Sequence, residues 1–283
     1  MSFRHILFPV DFSGHARAVA PAVAAVARHD GARVTLIHSL DMPYGELGAA
    51  PIEGEIERAR LNQRLRLQEF LPELWTGIET ARVEAYGKPG PTIAQWATDH
   101  HVDLIMMPTQ GFSRFRPLLL GSVTAAVLHD ALCPVWTGAH LQGDSAPEKY
   151  RCVLCAIDAS PKSSDVLAAA GRFARDWDAA LTVVHSVPAV DERFYSGTAE
   201  RAHRHLVDLA NRDYPELARE ASVDASLEIL EGDGIVKPII AAAAARQADL
   251  LVVGRGASQG VLGRLRTHAH ELIRTAPCPV LSV

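Results

Sequence analysis

RHILFPVDFS, residues 4–13, decides the fold of this chain, because a related stretch, RCVLCAIDAS, stands at residues 151–160. Three more pairs follow in the same order: ARVTLIHSL (32–40) with AALTVVHSV (179–187), VDLIMM (102–107) with ADLLVV (248–253), and LHDALCPVWTG (128–138) with IRTAPCPVLSV (273–283). The offset is 147 residues between Asp11 and Asp158 and 145 between Cys133 and Cys278. A nearly constant offset over four ordered matches predicts a tandem duplication of one unit.

Length and composition agree with two ordinary globular domains. The chain has 283 residues, of which 48% are hydrophobic and 22% charged, as in typical soluble domains. We predict domains at residues 1–140 and 149–283, joined by the polar linker HLQGDSAPEKY near residues 139–149.

Charge and hydropathy exclude two classes of partner. A net charge of −5 leaves no basic surface for nucleic acid, and no apolar run approaches the roughly 20 residues needed to span a bilayer. The N-terminus does not resemble a signal peptide. Together with four cysteines, this favours a cytoplasmic protein with free thiols.

Within each copy, short apolar β-rich runs alternate with helical patterns. In the first copy we predict strands at about 4–10, 33–39, 81–86, 103–107 and 133–137, and helices at about 14–30, 53–75, 90–101 and 120–131. This alternation predicts an α/β fold: two tandem doubly wound domains, each a five-stranded parallel sheet with helices on both faces. With strand order 3-2-1-4-5, ligands bind where the order reverses, between strands 1 and 4.

PTQGFSRFRPLLLGS (residues 108–122) follows strand 4 and therefore lies at this predicted crevice, opposite Asp11. Gly121 and Ser122 stand at a helix start, where unpaired N–H groups suit a phosphate. Asp11 is placed to accept hydrogen bonds from ribose hydroxyls. The alternative is purely structural: Gly121-Ser122 is a loop with an N-cap, and Asp11 caps the first helix.

Both copies resemble the universal stress protein family, whose nucleotide signature is Gly, two residues, Gly, nine residues, then Gly-Ser or Gly-Thr. The first copy has Pro108, then Gly111, then Gly121-Ser122 at this spacing, and its FPVDFS and CPVWTG motifs also match. The first glycine is replaced by Pro108, which has no N–H and a fixed φ. The resemblance covers nearly the whole chain, apart from residues 40–60, their counterpart near 188–200, and the linker.

The resemblance implies binding of ATP, with Mg²⁺. It places phosphate contacts at Gly111, Gly121, Ser122 and Val123, after a strand that ends at Met107-Pro108. It puts Asp11 by the ribose or base, with Pro9 and Val10 beside it, and Ser39 against the base through its backbone. In the second copy the corresponding candidates are Asp158, Ser186, Gly254, Gly256, Arg266 and Thr267.

The second copy departs further from the signature. Gly254 and Gly256 are one residue apart rather than two, and the nine-residue count ends at Arg266-Thr267 instead of Gly-Ser. Arg266 brings a large side chain to a place where bare backbone is expected; it either clashes with a phosphate or pairs with one. We predict a degenerate second site.

Other motifs favour structural roles. Cys152 and Cys155 lie three apart on a strand, so they point to opposite faces and are interpreted as free cysteines, like Cys133 and Cys278. His38 and His185 recur near a strand end, either as satisfied structural histidines or at the rim of the crevice. The helical His pairs lie two apart rather than four, so we predict no metal site, and no catalytic constellation can be assembled.

Two functions remain open. The first is a cytoplasmic stress-response protein that binds an adenine nucleotide in its first domain as a regulatory state marker, and that is not an enzyme apart from slow incidental hydrolysis. The second is a nucleotide-free interaction protein. The resemblance implies association through the last strands in either case, both within the chain and in a homodimer.

Overall fold

A computed structural model of the chain describes residues 2–41, 53–110, 120–138, 149–189, 197–255 and 264–283. The chain divides into two compact units, Ser2–Glu148 and Lys149–Val283, called domain 1 and domain 2 below. No helix in these ranges is long and apolar enough to cross a membrane.

Domain 1 alternates strands and helices along the chain. Its elements are β1 (His5–Pro9), α1 (Gly14–Asp30), β2 (Arg33–Leu40), α2 (Glu53–Gln68), β3 (Thr80–Tyr86), α3 (Pro89–Asp99), β4 (Leu104–Pro108), α4 (Ser122–Asp130) and β5 (Val135–Gly138). The strands pair in parallel in the order β3-β2-β1-β4-β5. The predicted order 3-2-1-4-5 is therefore confirmed.

Domain 2 repeats this plan. Its elements are β6 (Cys152–Ile157), α5 (Ser163–Asp176), β7 (Ala180–Pro188), α6 (Gly197–Ala221), β8 (Leu227–Gly232), α7 (Val236–Ala245), β9 (Leu250–Val253), α8 (Arg264–Thr275) and β10 (Val280–Ser282). Its parallel order is β8-β7-β6-β9-β10. Because right-handed crossovers leave the first strand in opposite directions, each sheet carries helices on both faces.

Burial on both faces explains why the central strands are continuously apolar. All five residues of β1 and of β4 are buried. Phe8 of β1 packs against Phe70 and Trp75, with ring centroids 6.2 and 6.0 Å away. In domain 2, Tyr150 meets Phe173 and Trp177 edge to face, at 4.9 Å each. Such aromatic pairs stabilise a core beyond the area that they bury.

The predicted helix at 53–75 is wrong at its end. α2 stops at Gln68, Leu71 takes a left-handed conformation with φ 48°, and a separate 3₁₀ turn covers Pro72–Trp75. Proline disfavours the helical conformation of the residue before it and donates no backbone hydrogen bond. Pro72 therefore separates the two segments.

Candidate functional site

A cavity of about 290 Å³ opens at the carboxyl edge of the domain 1 sheet, between β1 and β4. This volume is at the lower end of the range of small-molecule pockets, about 300–1,000 Å³. Its lining comes from the ends of three strands, the start of α3 and the start of α4: Pro9, Val10, Asp11, Ile37, His38, Ser39, Pro89, Ile93, Met107, Pro108, Gln110, Gly121, Ser122, Val123 and Thr124. The cavity lies where the strand order reverses, as the sequence predicts.

Nine of the ten candidate residues of domain 1 line this one cavity: Pro9, Val10, Asp11, Ser39, Met107, Pro108, Gly121, Ser122 and Val123. The tenth, Gly111, lies outside the described residues. The fold thus brings together positions that are more than 100 residues apart along the chain. Their role in binding stays a prediction.

Two hydrogen bonds join the chain before and after the segment 111–119. The N–H of Gly121 donates to the carbonyl oxygen of Thr109 over 2.9 Å. The hydroxyl of Thr124 donates to the carbonyl oxygen of Pro108 over 3.0 Å. The start of α4 is therefore held directly against the end of β4, beside the cavity.

Gly121 is the N-cap of α4, with φ −60° and ψ 142°. A Cβ atom at this position would lie 3.2 Å from the carbonyl oxygen of Thr109, so glycine favours this close approach and is not needed for an unusual φ. The N–H groups of Ser122 and Val123 follow in the first turn, where a helix has no internal acceptor. These groups and the helix dipole favour an anion at this end of the cavity.

The carboxylate of Asp11 is held at the end of β1 by a tight local turn. Its Oδ1 accepts the N–H of Ser13 over 2.9 Å, and the intervening Phe12 is left-handed, with φ 64°. Ser13, and not Asp11, caps α1, because its hydroxyl accepts the N–H of Ala16 over 3.1 Å. The structural alternative for Asp11 as the helix cap is therefore wrong.

His38 lies at the cavity wall and also makes a structural hydrogen bond. Its Nδ1 lies 2.6 Å from the carbonyl oxygen of Val10, and its ring packs on Phe12 at 4.7 Å. The guanidinium of Arg66 also lies over the Phe12 ring, 4.2 Å from its centre. Burial lowers the pKa of His38 and Arg66 lowers it further, although the bond to Val10 opposes the shift. The two sequence interpretations of His38 are thus compatible.

Pro108 replaces the first glycine of the signature, and domain 2 shows what that position requires. The equivalent Gly254 follows β9, and its φ does not lie in the left-handed region. A Cβ there would meet Val166 Cγ2 at 3.0 Å, so close packing is the constraint in that copy. Pro108 itself lies within β4, paired with Gly138. The sister domain therefore does not use a left-handed residue at this position.

The repeat, the strand order and this crevice agree with a family match over both halves. The model of the universal stress protein family matches residues 2–137 and 149–283. The chain belongs to the universal stress protein family. A universal stress protein of Thermus aquaticus is 33% identical over 136 residues, which are 47% of this chain and 96% of that protein. A second, from Methanocaldococcus jannaschii, is 28% identical over 137 residues, 47% of this chain and 80% of that protein.

Solved structures show the same fold over both domains of this universal stress protein. A universal stress protein from Archaeoglobus fulgidus superposes with a TM-score of 0.72 and 21% identity, over 98% of this chain and 95% of that one. A putative universal stress protein from Pseudomonas aeruginosa gives a TM-score of 0.63 and 19% identity, over 100% and 93%. At sequence identities of 21% and 19%, this similarity shows that the fold is shared and nothing further.

The corresponding edge of domain 2 is built differently. Asp158 Oδ1 accepts both the N–H of Ser160, over 3.0 Å, and the hydroxyl of Ser163, over 2.8 Å. Burial alone would raise the pKa of Asp158, but interactions with the hydroxyl and the N–H of Ser160 and with the hydroxyl of Ser163 lower it. The hydroxyl of Ser186 is buried without a partner among the described residues, whereas Ser39 donates to the carbonyl of Gly87 over 2.9 Å.

Arg266 and Thr267 of domain 2 hold a different place in their helix from their counterparts in domain 1. α8 begins at Arg264, so Arg266 and Thr267 lie inside the helix. By the offset of 145, their counterparts in domain 1 are the cap Gly121 and the first helical residue Ser122. Gly256 lies outside the described residues.

Sequence reasoning missed several lining residues of domain 1. Pro89 and Ile93 of α3, together with Ile37, form an apolar wall, and apolar residues on a helix do not by themselves indicate a binding role. Thr124 offered a weak signal, because a hydroxyl in the first turn of a helix often bonds to nearby backbone. Gln110 follows β4 directly and has no motif of its own.

The described cysteines and metal-ligating side chains do not form a second candidate site. None of the four cysteines forms a disulfide bond, and burial raises the pKa of Cys155 and Cys278 to about 12. No group of three metal-ligating side chains occurs in the described ranges. A larger cavity of about 670 Å³ lies between α2 and β3. Of its three charged residues, Arg64 and Glu84 pair with each other at 2.9 Å, and Arg82 donates to the carbonyl oxygen of Leu67 over 3.0 Å.

Proposed function

We propose that domain 1 of this universal stress protein binds an adenine nucleotide in the cavity at the carboxyl edge of its sheet. The observation that carries the proposal is the convergence of nine of the ten candidate residues of domain 1 on that one cavity. The binding event serves as a regulatory state marker in a stress response, and domain 2 retains a degenerate site.

Each part of the cavity suits a part of the nucleotide. Ile37, Pro89 and Ile93 form an apolar wall against which a flat base can pack. The carboxylate of Asp11 accepts hydrogen bonds from the ribose hydroxyls. The N–H groups of Ser122 and Val123 at the start of α4 receive the phosphates.

Mg²⁺ would enter with the nucleotide. Asp11 is the one carboxylate among the described residues that line the cavity, and it is assigned here to the ribose. Mg²⁺ keeps most of its water and binds readily through substrate phosphates, so the triphosphate supplies its main ligands. The chain would contribute N–H donors rather than a metal cage.

We propose binding without efficient turnover. The described lining residues include neither Lys nor Arg, whose cationic side chains stabilise a transferring phosphoryl group. Among the described lining residues, the imidazole of His38 is the best candidate for a general base. Its Nδ1, however, already donates a hydrogen bond to the carbonyl oxygen of Val10. Slow incidental hydrolysis is the most that this arrangement supports.

The test is a calorimetric titration of the nucleotide-stripped protein with Mg-ATP. We expect a micromolar site at about one per chain, a loss of binding in Asp11→Ala, and unchanged binding in the matched control Asp158→Ala. Saturation should also raise the melting temperature, since a ligand at 100 times its Kd stabilises the folded state by about 2.7 kcal/mol. Absence of heat and of a thermal shift at millimolar ATP would overturn nucleotide binding.

That outcome would leave the nucleotide-free interaction protein as the alternative. Association through the last strands and a homodimer stay predictions under either function. Light scattering coupled to gel filtration measures the mass of the assembly, with and without Mg-ATP.

A further inference from the structure

The two domains differ at one buried position beside the aspartate that follows their first strand. In domain 2 this residue is Ser163, whose hydroxyl donates to Asp158 Oδ1 over 2.8 Å. In domain 1, at the same offset of 147 that relates Asp11 to Asp158, it is Ala16, which has no hydrogen to donate. Ala16 is 0% exposed and Ser163 is 2% exposed. Neither side chain therefore faces a ligand directly.

This difference changes how many acceptor sites the aspartate has left. A carboxylate oxygen offers two lone pairs. Oδ1 of Asp158 accepts from Ser160 and from Ser163, so the chain itself occupies both. Oδ1 of Asp11 accepts the N–H of Ser13, which leaves one lone pair for a ligand.

A ribose diol makes this difference consequential. Its two adjacent hydroxyls present two donors, and a carboxylate receives them in parallel when each hydroxyl bonds a different oxygen. Among the described residues, only the N–H of Ser13 is seen to bond to Asp11, so an acceptor site remains on Oδ1 and on Oδ2 for such a pair. Asp158 has its Oδ1 already filled.

We propose that the residue five positions after this aspartate sets whether the domain can bind both hydroxyls of a ribose diol. Ala16 keeps that capacity in domain 1, and Ser163 removes it from domain 2. The inference rests on the proposed nucleotide-binding function of domain 1. It makes residue 16 a positioning residue for specificity, acting through the carboxylate of Asp11.

The local geometry of domain 1 indicates how a serine at position 16 would act. The turn before the two positions is the same: Phe12 and Ala159 are both left-handed, and the N–H groups of Ser13 and Ser160 both donate to the Oδ1 of their aspartate. The helices begin at different points, since residue 16 is the third residue of α1 and Ser163 is the first residue of α5. Because the turn that positions the carboxylate is shared, we expect a hydroxyl at position 16 to come within reach of Asp11 Oδ1.

The test compares two proteins, each titrated with two ligands. Full-length wild type and Ala16→Ser are titrated calorimetrically with Mg-ATP and with Mg-2′-deoxy-ATP. We expect the wild type to bind ATP about tenfold more tightly than the deoxynucleotide, as for one hydrogen bond to a charged group. Ala16→Ser should bind ATP about tenfold more weakly and lose most of this discrimination.

Two controls separate this effect from a folding defect. The melting temperature of ligand-free Ala16→Ser should stay within a few degrees of the wild type, since domain 2 accommodates serine at the equivalent buried position. Ser163→Ala makes the reverse change in the other domain and should leave the ATP affinity of domain 1 unchanged. Binding is thus read out separately from stability.

Three results contradict the inference. If the wild type binds ATP but Ala16→Ser binds both ligands as the wild type does, position 16 has no role in specificity. If Ala16→Ser weakens both ligands equally, its effect is structural rather than directed at the diol. If the wild type binds neither ligand, the proposed function fails and this inference fails with it.

Discussion

The Nδ1 atom of His38 lies 2.6 Å from the carbonyl oxygen of Val10 and joins the carboxyl ends of β1 and β2. Domain 2 has the same contact, between His185 Nδ1 and the carbonyl oxygen of Ile157, at 2.9 Å. Because a carbonyl can only accept, Nδ1 carries a hydrogen and donates it in both domains. The carbonyl it holds belongs in each case to the residue just before the aspartate.

Stability should depend on pH through His38. Burial and Arg66 lower its pKa in the folded chain below the ordinary value of 6.5, so protonation is easier in the unfolded chain. The contribution of neutral His38 is therefore complete above about pH 6.5 and is lost as the pH falls below it. The unfolding free energy of the wild type, minus that of His38→Gln, should shrink between about pH 7.5 and pH 5 in urea titrations. A difference that stays constant over this range would contradict the prediction.

Gly121→Ala should weaken both domain 1 and its ligand site. The added Cβ would lie 3.2 Å from the carbonyl oxygen of Thr109, so α4 must shift away from β4. We expect a loss of about 1 kcal/mol in unfolding free energy and weaker binding of Mg-ATP. The matched control is Gly14→Ala in the first turn of α1, where a Cβ meets nothing within 4 Å. It should be neutral, or stabilising by up to about 1 kcal/mol; equal losses in both variants would refute the steric argument.

The left-handed residue after each aspartate should respond differently in the two domains. Phe12 and Ala159 occupy equivalent positions with φ 64° and 56°, and glycine would relieve about 1 kcal/mol of backbone strain at either. Ala159→Gly should therefore stabilise domain 2. Phe12→Gly should destabilise domain 1, because it also removes the ring that contacts both Arg66 and His38. Chemical denaturation of both variants checks this, and a stabilised Phe12→Gly would show that these ring contacts contribute little.

Thiol labelling should divide the cysteines into two classes. Cys155 is fully buried and Cys278 nearly so, and burial holds the pKa of both at about 12. Because the thiolate is the reactive form, these two should stay unlabelled in the native protein at about pH 8. Cys133 and Cys152 are partly exposed and should react first, with all four cysteines labelled after unfolding in denaturant. Peptide mapping identifies the sites, and native labelling of Cys155 would contradict its burial.

Local sequence was sufficient to predict most elements of domain 1. α1 has the predicted bounds, Gly14–Asp30, because Ser13 and Gly31 cap it at both ends. The end of α2 was missed, since the apolar pattern continues through Leu71 and Trp75 although Pro72 interrupts the helix. Residues of the crevice that carry a motif, such as Asp11 and Gly121, were predicted. Pro89 and Ile93 were not, because only the packing of α3 against the strand ends gives them a role.

By itself the sequence determined the duplication and the α/β class. These follow from the internal repeat, from periodicity and from turn residues, which can be recognised along the chain. The strand order was predicted as 3-2-1-4-5, and the strand pairing of the folded chain confirmed it. Tertiary structure alone decided which acceptor sites remain on Asp11 and Asp158. Each aspartate follows an apolar strand and has a serine two positions after it, so these sequence features do not distinguish the two. Only the folded chain shows the Ser163 hydroxyl bonded to Asp158 Oδ1, because hydrogen bonding depends on angles and distances that spacing along the chain does not specify.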